Sequence, residues 1–321
     1  MSTQATVTPP NDNQPPNDNQ PPNDNQPPYD NQPPYESRGG AAGYRSTATL
    51  TFATEFRRQL SRRRTQLCLG FMLLLPLIIL VAFEFGGNGN GGGGDRGQFA
   101  ALADIATSGG LNFALFTLLV SASFLLIVVV AMFCGDTIAS EASWGSMRYL
   151  LAIPVPRARL LGSKLLVALT YSAIALVLLT ATALGAGTAR YGWHPLRSTV
   201  ADDTAPVPAL WRLLGIVAYL AITLLVVASL AFLLSVSTDA PLGAVGGAVL
   251  LQILSNILDQ ITALGSLRDY LPTHYEDAWL GLLSTPVQYS DMIKGSISAL
   301  VYATVFFGFA WWRFVRKDVV S

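Results

Sequence analysis

Six apolar stretches, each near the length needed to cross a bilayer, constrain this chain more than any other feature. A transmembrane helix needs about 20 predominantly apolar residues. The six spans that we predict from the stretches are 68–85, 111–134, 165–187, 213–235, 241–258 and 293–312. Only 12% of the 321 residues are charged, which is about half the fraction usual for a soluble domain. We therefore predict an all-α, polytopic membrane protein.

The first 46 residues differ sharply from the rest. The hexapeptide PPNDNQ repeats from Pro9, Pro15 and Pro21, and the repeat contains no aliphatic residue. Such a composition cannot bury a core, so we predict a disordered cytoplasmic tail over 1–46 and a transmembrane domain over 47–321. A tail that docks a WW domain is disfavoured, because that ligand needs Pro-Pro-x-Tyr and the tyrosines here directly follow the proline pairs.

Just before the first span, apolar and basic residues are arranged at helical spacing. Phe52, Phe56 and Leu60 recur every four residues, and arginines, among them Arg62 and Arg63, fill positions around them. An apolar stripe flanked by arginines suits a helix that lies in the headgroup layer near anionic lipid. The alternative is a stop-transfer charge cluster without defined structure. We predict the interfacial helix.

The distribution of Lys and Arg over the short loops predicts the orientation. Basic residues cluster before span one, between spans two and three, and after span six. The alternate loops are poor in basic residues or balanced by acids, and 259–291 is net acidic. Positive charge favours the cytoplasmic side, so we expect a multi-pass protein of the cell membrane with both termini in the cytoplasm.

The spans offer few groups for chemistry. Both histidines, His194 and His274, fall in predicted outer loops, and Cys68 and Cys134 lie far apart at ends of apolar stretches, where small apolar packing is their usual role. Ionisable groups at mid-membrane, which a secondary transporter needs, are nearly absent. We expect no catalytic, cofactor or metal site and no nucleic-acid binding, so the energy for any transport must come from a partner.

The exception is the compact charged segment GDTIASEASWGSMRYLLAIPVPRARLLGSK over 135–164. Asp136 can cap a helix, and Glu141, Gly145 and Arg148 are spaced so that they share one face of it. Prolines then end that helix. We predict a short surface helix that presents a salt-bridging face to a cytosolic partner; an ordinary solvated loop with positive-inside charge is the alternative.

In this topology the segment resembles that of the ABC-2 family, the integral-membrane permease subunits of ABC exporters. The family pattern has an acid after span two, then Glu, Gly, a basic residue, a Leu pair, Pro, Arg and a Lys that enters span three. The matching positions here are Asp136, Glu141, Gly145, Arg148, Leu150, Leu151, Pro154 or Pro156, Arg157 and Lys164. The resemblance covers about 47–321 and excludes the tail.

The resemblance implies a mechanism and partners. Residues 141–151 would form a coupling helix that docks on a separate ABC ATPase, two copies of which, with their ATP and Mg, drive two permease subunits between inward- and outward-facing states. The second permease would be another copy of this chain, and lipid would surround the pair. The implied function is export of an amphiphilic, drug-like or lipid-like substrate. A non-transporting membrane scaffold or sensor is the alternative.

Two further regions, 275–286 and 243–247, also suggest structural roles. By the same resemblance, the sequence YEDAWLGLLSTP, with Tyr275, Trp279 and Pro286, would form outer re-entrant helices that line the exit. An ordinary amphipathic outer helix is the alternative there. Gly243 and Gly247 form a GxxxG motif that permits close helix packing, either within the chain or at a dimer seam.

Overall fold

A computed structural model describes residues 52–86, 104–143, 157–197 and 203–316. The predicted tail lies outside these ranges, and all described residues belong to one unit that begins at Ser46. The α-helices are α1 Phe52–Leu60, α2 Arg63–Gly86, α3 Gly110–Ala122, α4 Leu125–Ser143, α5 Arg157–Tyr191, α6 Pro206–Ser237, α7 Pro241–Gln260 and α8 Ser290–Arg316. Two 3₁₀ helices, Thr262–Tyr270 and Ala278–Leu283, lie between α7 and α8.

The prediction of an all-α bundle with six spans is confirmed. Six helices, α2 and α4 to α8, are long and apolar enough to cross a membrane, and the short helix α1 precedes them as predicted. Strand-like pairing within the described ranges is limited to one isolated bridge between Leu196 and Thr204. Prolines begin α6 and α7, where the missing N–H costs nothing.

The second predicted span differs from the structure. Instead of one helix over 111–134, the chain forms α3 and α4, which are separated at Ser123 and Phe124. Helix α3 has 13 residues and is short for a span, whereas α4 continues to Ser143. Our boundary at 134 followed the end of the apolar run. The helix passes that point because the acidic side chains beyond it are neutralised by basic partners, as described below.

Helix α4 lies at the centre of the bundle. Within its spanning window 72% of the residues are buried, against 11% in α2. It packs against α5, α6 and α7, while α5 also contacts α2 and α3, and α6 contacts α7 and α8. The outward sides of α2, α7 and α8 expose apolar side chains, as lipid contact requires.

Helices α3 and α5 approach most closely at glycines. A Cβ at Gly110 would lie 2.6 Å from the backbone nitrogen of Thr188, and one at Gly187 would lie 2.9 Å from Phe113 Cβ. Neither position has room for a side chain.

The helices alternate in direction between two ends of the bundle. The arginine end contains α1, the end of α4, the start of α5 and the end of α8. The opposite end contains the start of α3, the end of α5 and the segment 261–289, and there the guanidinium of Arg190 pairs with Glu84 at 2.7 Å.

Candidate functional site

Four charged side chains from three helices meet at the arginine end, and we call Glu55, Arg58, Glu141 and Lys164 the buried ion cluster. The Nζ atom of Lys164 lies 2.6 Å from Oε1 of Glu141 and 3.1 Å from Oε1 of Glu55. Arg58 donates to Glu141 and also approaches Glu55, with Nε 3.5 Å from Oε2. The cluster therefore connects α1, α4 and α5.

The cluster is balanced in formal charge and largely removed from solvent. The side chains of Lys164 and Glu141 are each 2% exposed, and that of Glu55 is 6% exposed, whereas Arg58 reaches the surface at 42%. A buried ion without a partner costs several kcal/mol. Two carboxylates and two cations in hydrogen-bonding contact satisfy that requirement together, so each member depends on the others.

Helix α1 is held in place by further contacts with α5. The hydroxyl of Tyr171 donates to the carbonyl of Phe56 at 2.7 Å, and their rings stack with centroids 4.7 Å apart. The buried positions of α1 are polar, Glu55 and Gln59, while Phe52 and Leu60 are 43% and 42% exposed. The exposed apolar positions suit a helix at the membrane interface.

A second ion pair joins the start of α2 to α4. Asp136 accepts from Arg64 at 2.9 Å and lies 3.5 Å from Arg62. Arg63, between them, is exposed. Because the Asp136 pair is nearer the surface than the buried ion cluster, screening weakens it.

The last turns of α4 are also fixed to α6 and α7. The backbone N–H groups of Ile138 and Ala139 both lie 3.0 Å from Oγ of Ser235 on α6. A Cβ at Gly135 would meet Cγ2 of Val245 on α7 at 2.9 Å, so the glycine permits this close approach. The end of α4 is thus in contact with α1, α5, α6 and α7.

The structure corrects two local predictions in the charged segment. Asp136 is not a helix cap, because α4 continues through it to Ser143. Glu141 does not lie on a solvent-exposed face, because it is buried against Lys164. Glu141 is brought to Lys164 and to Arg58 of α1, whereas Asp136 is brought to Arg62 and Arg64 near the start of α2. The family pattern alone did not indicate these contacts.

The remaining predicted coupling residues are not all described. Gly145, Arg148, Leu150, Leu151 and Pro154 lie outside the described residues. Arg157 begins α5. The role of this set in ATPase coupling stays a prediction.

At the opposite end, polar groups gather between α7 and the 3₁₀ helices. His274 Nδ1 lies 2.6 Å from Asp259 Oδ1, and its Nε2 lies 3.3 Å from Asp269. Arg268 Nε lies 3.6 Å from the same oxygen of Asp259. Within the described ranges, no three His, Cys, Asp or Glu side chains converge as a metal site would need.

Glu276 is the most perturbed carboxyl of this region. Burial, followed by repulsion from Asp277, raises its pKa from 4.5 to about 7. Hydrogen bonds from Asn256 and Gln252 of α7 act in the opposite direction, because they favour the ionised form.

The residues predicted to line an outer exit lie in this segment. The carbonyl of Tyr275 accepts from Tyr219 at 2.6 Å, Trp279 is 2% exposed, and Pro286 is exposed. The carbonyl of Tyr270 accepts from Tyr302 at 2.6 Å, about 18 Å along α8 from its first residue. The segment therefore folds back alongside the bundle, and its entry into the bilayer stays a prediction.

The two glycines of the GxxxG motif have different surroundings. A Cβ at Gly247 would lie 3.2 Å from Leu234 of α6, whereas one at Gly243 would meet only Ala240, directly before the same helix. Gly247 therefore serves packing within the chain. Gly243 does not contact another helix within the described part of the chain.

The sequence did not lead us to predict Glu55 and Arg58 as site residues. It also did not lead us to predict that Lys164 would be buried in an ion cluster. One signal was available, because Glu55 is an acid among arginines and Lys164 is a lone cation at the start of an apolar run. Their pairing joins positions 109 residues apart, which no local pattern reveals.

The sequence matches a family described as "Protein of unknown function (DUF2705)" over residues 77–320. The chain belongs to the DUF2705 family. The match includes α3 to α8, and so contains Glu141 and Lys164 of this DUF2705 protein, but it begins after α1 with Glu55 and Arg58. A comparison with curated proteins found no match.

Proposed function

We propose that the chain is the permease subunit of an ATP-driven export system of the ABC-2 type. The ATPase would be a separate polypeptide that docks on the segment between α4 and α5, and the permease would act as a pair of identical subunits. The transported molecule would be amphiphilic, drug-like or lipid-like. The segment 144–156 itself lies outside the described residues.

The observation that best supports the proposal is the buried ion cluster. A partner that pushes on the segment after Ser143 acts on the last turn of α4, where Glu141 is paired to Lys164 at 2.6 Å. The same cluster includes Glu55 of α1. A displacement applied there therefore reaches α4, α5 and α1 as one body rather than bending a loop.

The position of α4 explains how such a push would change the bundle. It is the central helix and packs on α5, α6 and α7. Packed interiors shift between discrete arrangements instead of deforming gradually. Movement of the α4 end would thus rock the helices around it and alter access at the opposite end.

Orientation is part of the proposal. The arginine end carries Arg57, Arg58, Arg62, Arg63, Arg64, Arg313 and Arg316. Positive charge is retained on the cytoplasmic side. We therefore propose that the docking segment faces the cytoplasm, where an ATPase would have access to ATP.

Co-purification with an ABC ATPase, followed by measurement of ATP hydrolysis in reconstituted vesicles, tests the proposal. Hydrolysis should depend on this chain and should fall at least about tenfold in Arg148→Glu. The matched control is Arg313→Glu, which makes the same charge change on an exposed residue of α8 and should leave hydrolysis within about twofold. Membrane insertion should be equal in all three proteins.

Hydrolysis that is independent of the chain, or equal loss in both variants, would contradict the proposal. The first result would favour a membrane scaffold or sensor that does not transport.

A further inference from the structure

A cavity lies at the opposite end of the bundle, between α3 and the second 3₁₀ helix. Its volume is about 620 Å³, within the about 300–1,000 Å³ of sites that hold drug-sized ligands. One wall is α3 between Asn112 and Leu119, and the other is the second 3₁₀ helix with Trp279 and Leu283. The cavity is separate from the buried ion cluster.

The cavity lining is apolar along α3 and polar at Asn112 and Arg197, which contact each other. Leu115, Phe116 and Leu119 line the cavity along α3, beyond Asn112. The step from Asn112 to Leu119 is about 10 Å along a helix. Arg197 and Gln288, both exposed, belong to the polar part.

The cation of the lining, Arg197, is fixed through its backbone. The amide of Asn112, itself 4% exposed, donates to the carbonyl of Arg197 at 2.7 Å and accepts from its N–H at 3.1 Å. Both functional groups of the asparagine are used to hold this one residue. No acidic side chain in the described ranges pairs with the Arg197 guanidinium within 4.0 Å.

We propose that this cavity binds a single-chain amphiphile with an anionic headgroup. The hydrocarbon chain lies against Leu115, Phe116 and Leu119, and the headgroup accepts hydrogen bonds from Arg197. Burial of the methylene groups favours binding through the hydrophobic effect, and the guanidinium supplies a charge-assisted contact to carboxylate, phosphate or sulfate.

The residues that line the cavity favour an anionic amphiphile over other classes of ligand. A nucleotide or sugar would leave its polar groups against apolar walls without partners. An uncharged hydrocarbon would leave the headgroup position at Arg197 unused. The proposal concerns this chain alone and stands whether or not the protein exports anything.

Fluorescence quenching by brominated amphiphiles tests the proposal on the full chain in nanodiscs of zwitterionic lipid. The probes are a brominated alkyl sulfate and the uncharged brominated alcohol with the same chain. The signal from the cavity is the quenching lost in Trp279→Phe, because Trp279 forms part of the wall. This variant should fold, since the indole N–H is buried with no hydrogen-bond partner in the described structure.

The sulfate should quench Trp279 saturably, and the alcohol should need at least about tenfold more probe for the same quenching. Arg197→Gln should raise the half-saturating sulfate concentration about tenfold or more. The control Arg212→Gln removes an equal charge outside the cavity and should change it less than twofold.

Equal quenching by sulfate and alcohol would overturn the proposal. So would equal quenching in wild type and Trp279→Phe, because the probe would then act from the bilayer on other tryptophans. An unchanged half-saturation in Arg197→Gln would remove the assigned headgroup contact and would also overturn it.

Discussion

Lys164 and Glu141 are 23 positions apart in the chain, yet Nζ and Oε1 lie 2.6 Å from each other, and each side chain is 2% exposed. This pair forms the centre of the four-residue cluster that joins α1 to the middle of the bundle. The contribution of the cluster to the free energy of unfolding can be measured with substitutions.

Removing one member of the cluster should be strongly destabilising. Lys164→Met leaves Glu55 and Glu141 with Arg58 as the remaining cation, and we expect a loss of about 3–5 kcal/mol in the free energy of unfolding. The measurement is denaturant unfolding in detergent. Lys294→Met is the control, because Lys294 forms an exposed pair with Asp291 and its loss should leave the free energy of unfolding nearly unchanged.

Restoring charge balance should recover much of that loss. In the double variant Lys164→Met with Glu55→Leu, Arg58 and Glu141 remain as one pair. We expect the double variant to be more stable than Lys164→Met alone, although it carries one more substitution. Additive losses in the double variant would show that the two side chains act independently.

The more exposed ion pairs of Asp136 should contribute less to the free energy of unfolding than the buried ion cluster. Asp136→Asn removes the partner of Arg62 and Arg64, whose side chains are 22% and 63% exposed. Solvent screens these interactions, so we expect about 1 kcal/mol or less. A loss equal to that of Lys164→Met in the same unfolding assay would contradict the distinction between the two ion pairs.

Glu276 should make stability depend on pH. Its folded pKa of about 7 lies above the ordinary value of 4.5, so the folded state holds the proton more tightly. The resulting stabilisation is fully present below about pH 4.5 and is lost as pH rises through about 7.

The effect of the Glu276 carboxyl should be measurable as a difference in the free energy of unfolding between pH 5 and pH 8. We expect wild type to lose about 2 kcal/mol of stability over this interval relative to Glu276→Gln. Asp104→Asn, at an exposed position, is the control. If wild type and Glu276→Gln had the same pH dependence, Glu276 would not be the group responsible.

The close contact between α3 and α5 should tolerate no Cβ. Gly110→Ala would bring a methyl group within 2.6 Å of the Thr188 nitrogen, and overpacking of this kind costs about 1–3 kcal/mol. Gly70→Ala on α2 has no neighbour within 4 Å and should be neutral or slightly stabilising. Thermal unfolding of the two variants distinguishes these outcomes.

The sequence predicted the elements that depend on local composition. Spans one and three to six follow from apolar runs, and Pro76 within α2 did not prevent a continuous helix. The break at Ser123 and Phe124 was missed because both neighbouring helices are apolar. Hydropathy alone does not register a turn inside such a run.

Several residues of the candidate site could be predicted from the sequence, but the contacts between them could not. Asp136, Glu141 and Lys164 were selected from the charged segment, but their surroundings depend on Glu55 and Arg58 of α1 and on Arg64 in the first turn of α2. Whether a charge faces solvent or a partner is decided by helix packing. A single sequence therefore indicated the residues and gave the wrong surroundings for Glu141.

Cross-linking from position 146 tests the proposed coupling most directly, because Ser146 lies in the proposed docking segment and is not one of the predicted coupling residues. Ser146→Cys would be made in a chain with Cys68→Ala and Cys134→Ala, and the complex with the co-purified ATPase would be treated with a reagent that links a thiol to an amine. We predict a cross-link to the ATPase that stops ATP hydrolysis. Labelling of position 146 by an impermeant thiol reagent from outside intact cells, with no cross-link, would contradict the account.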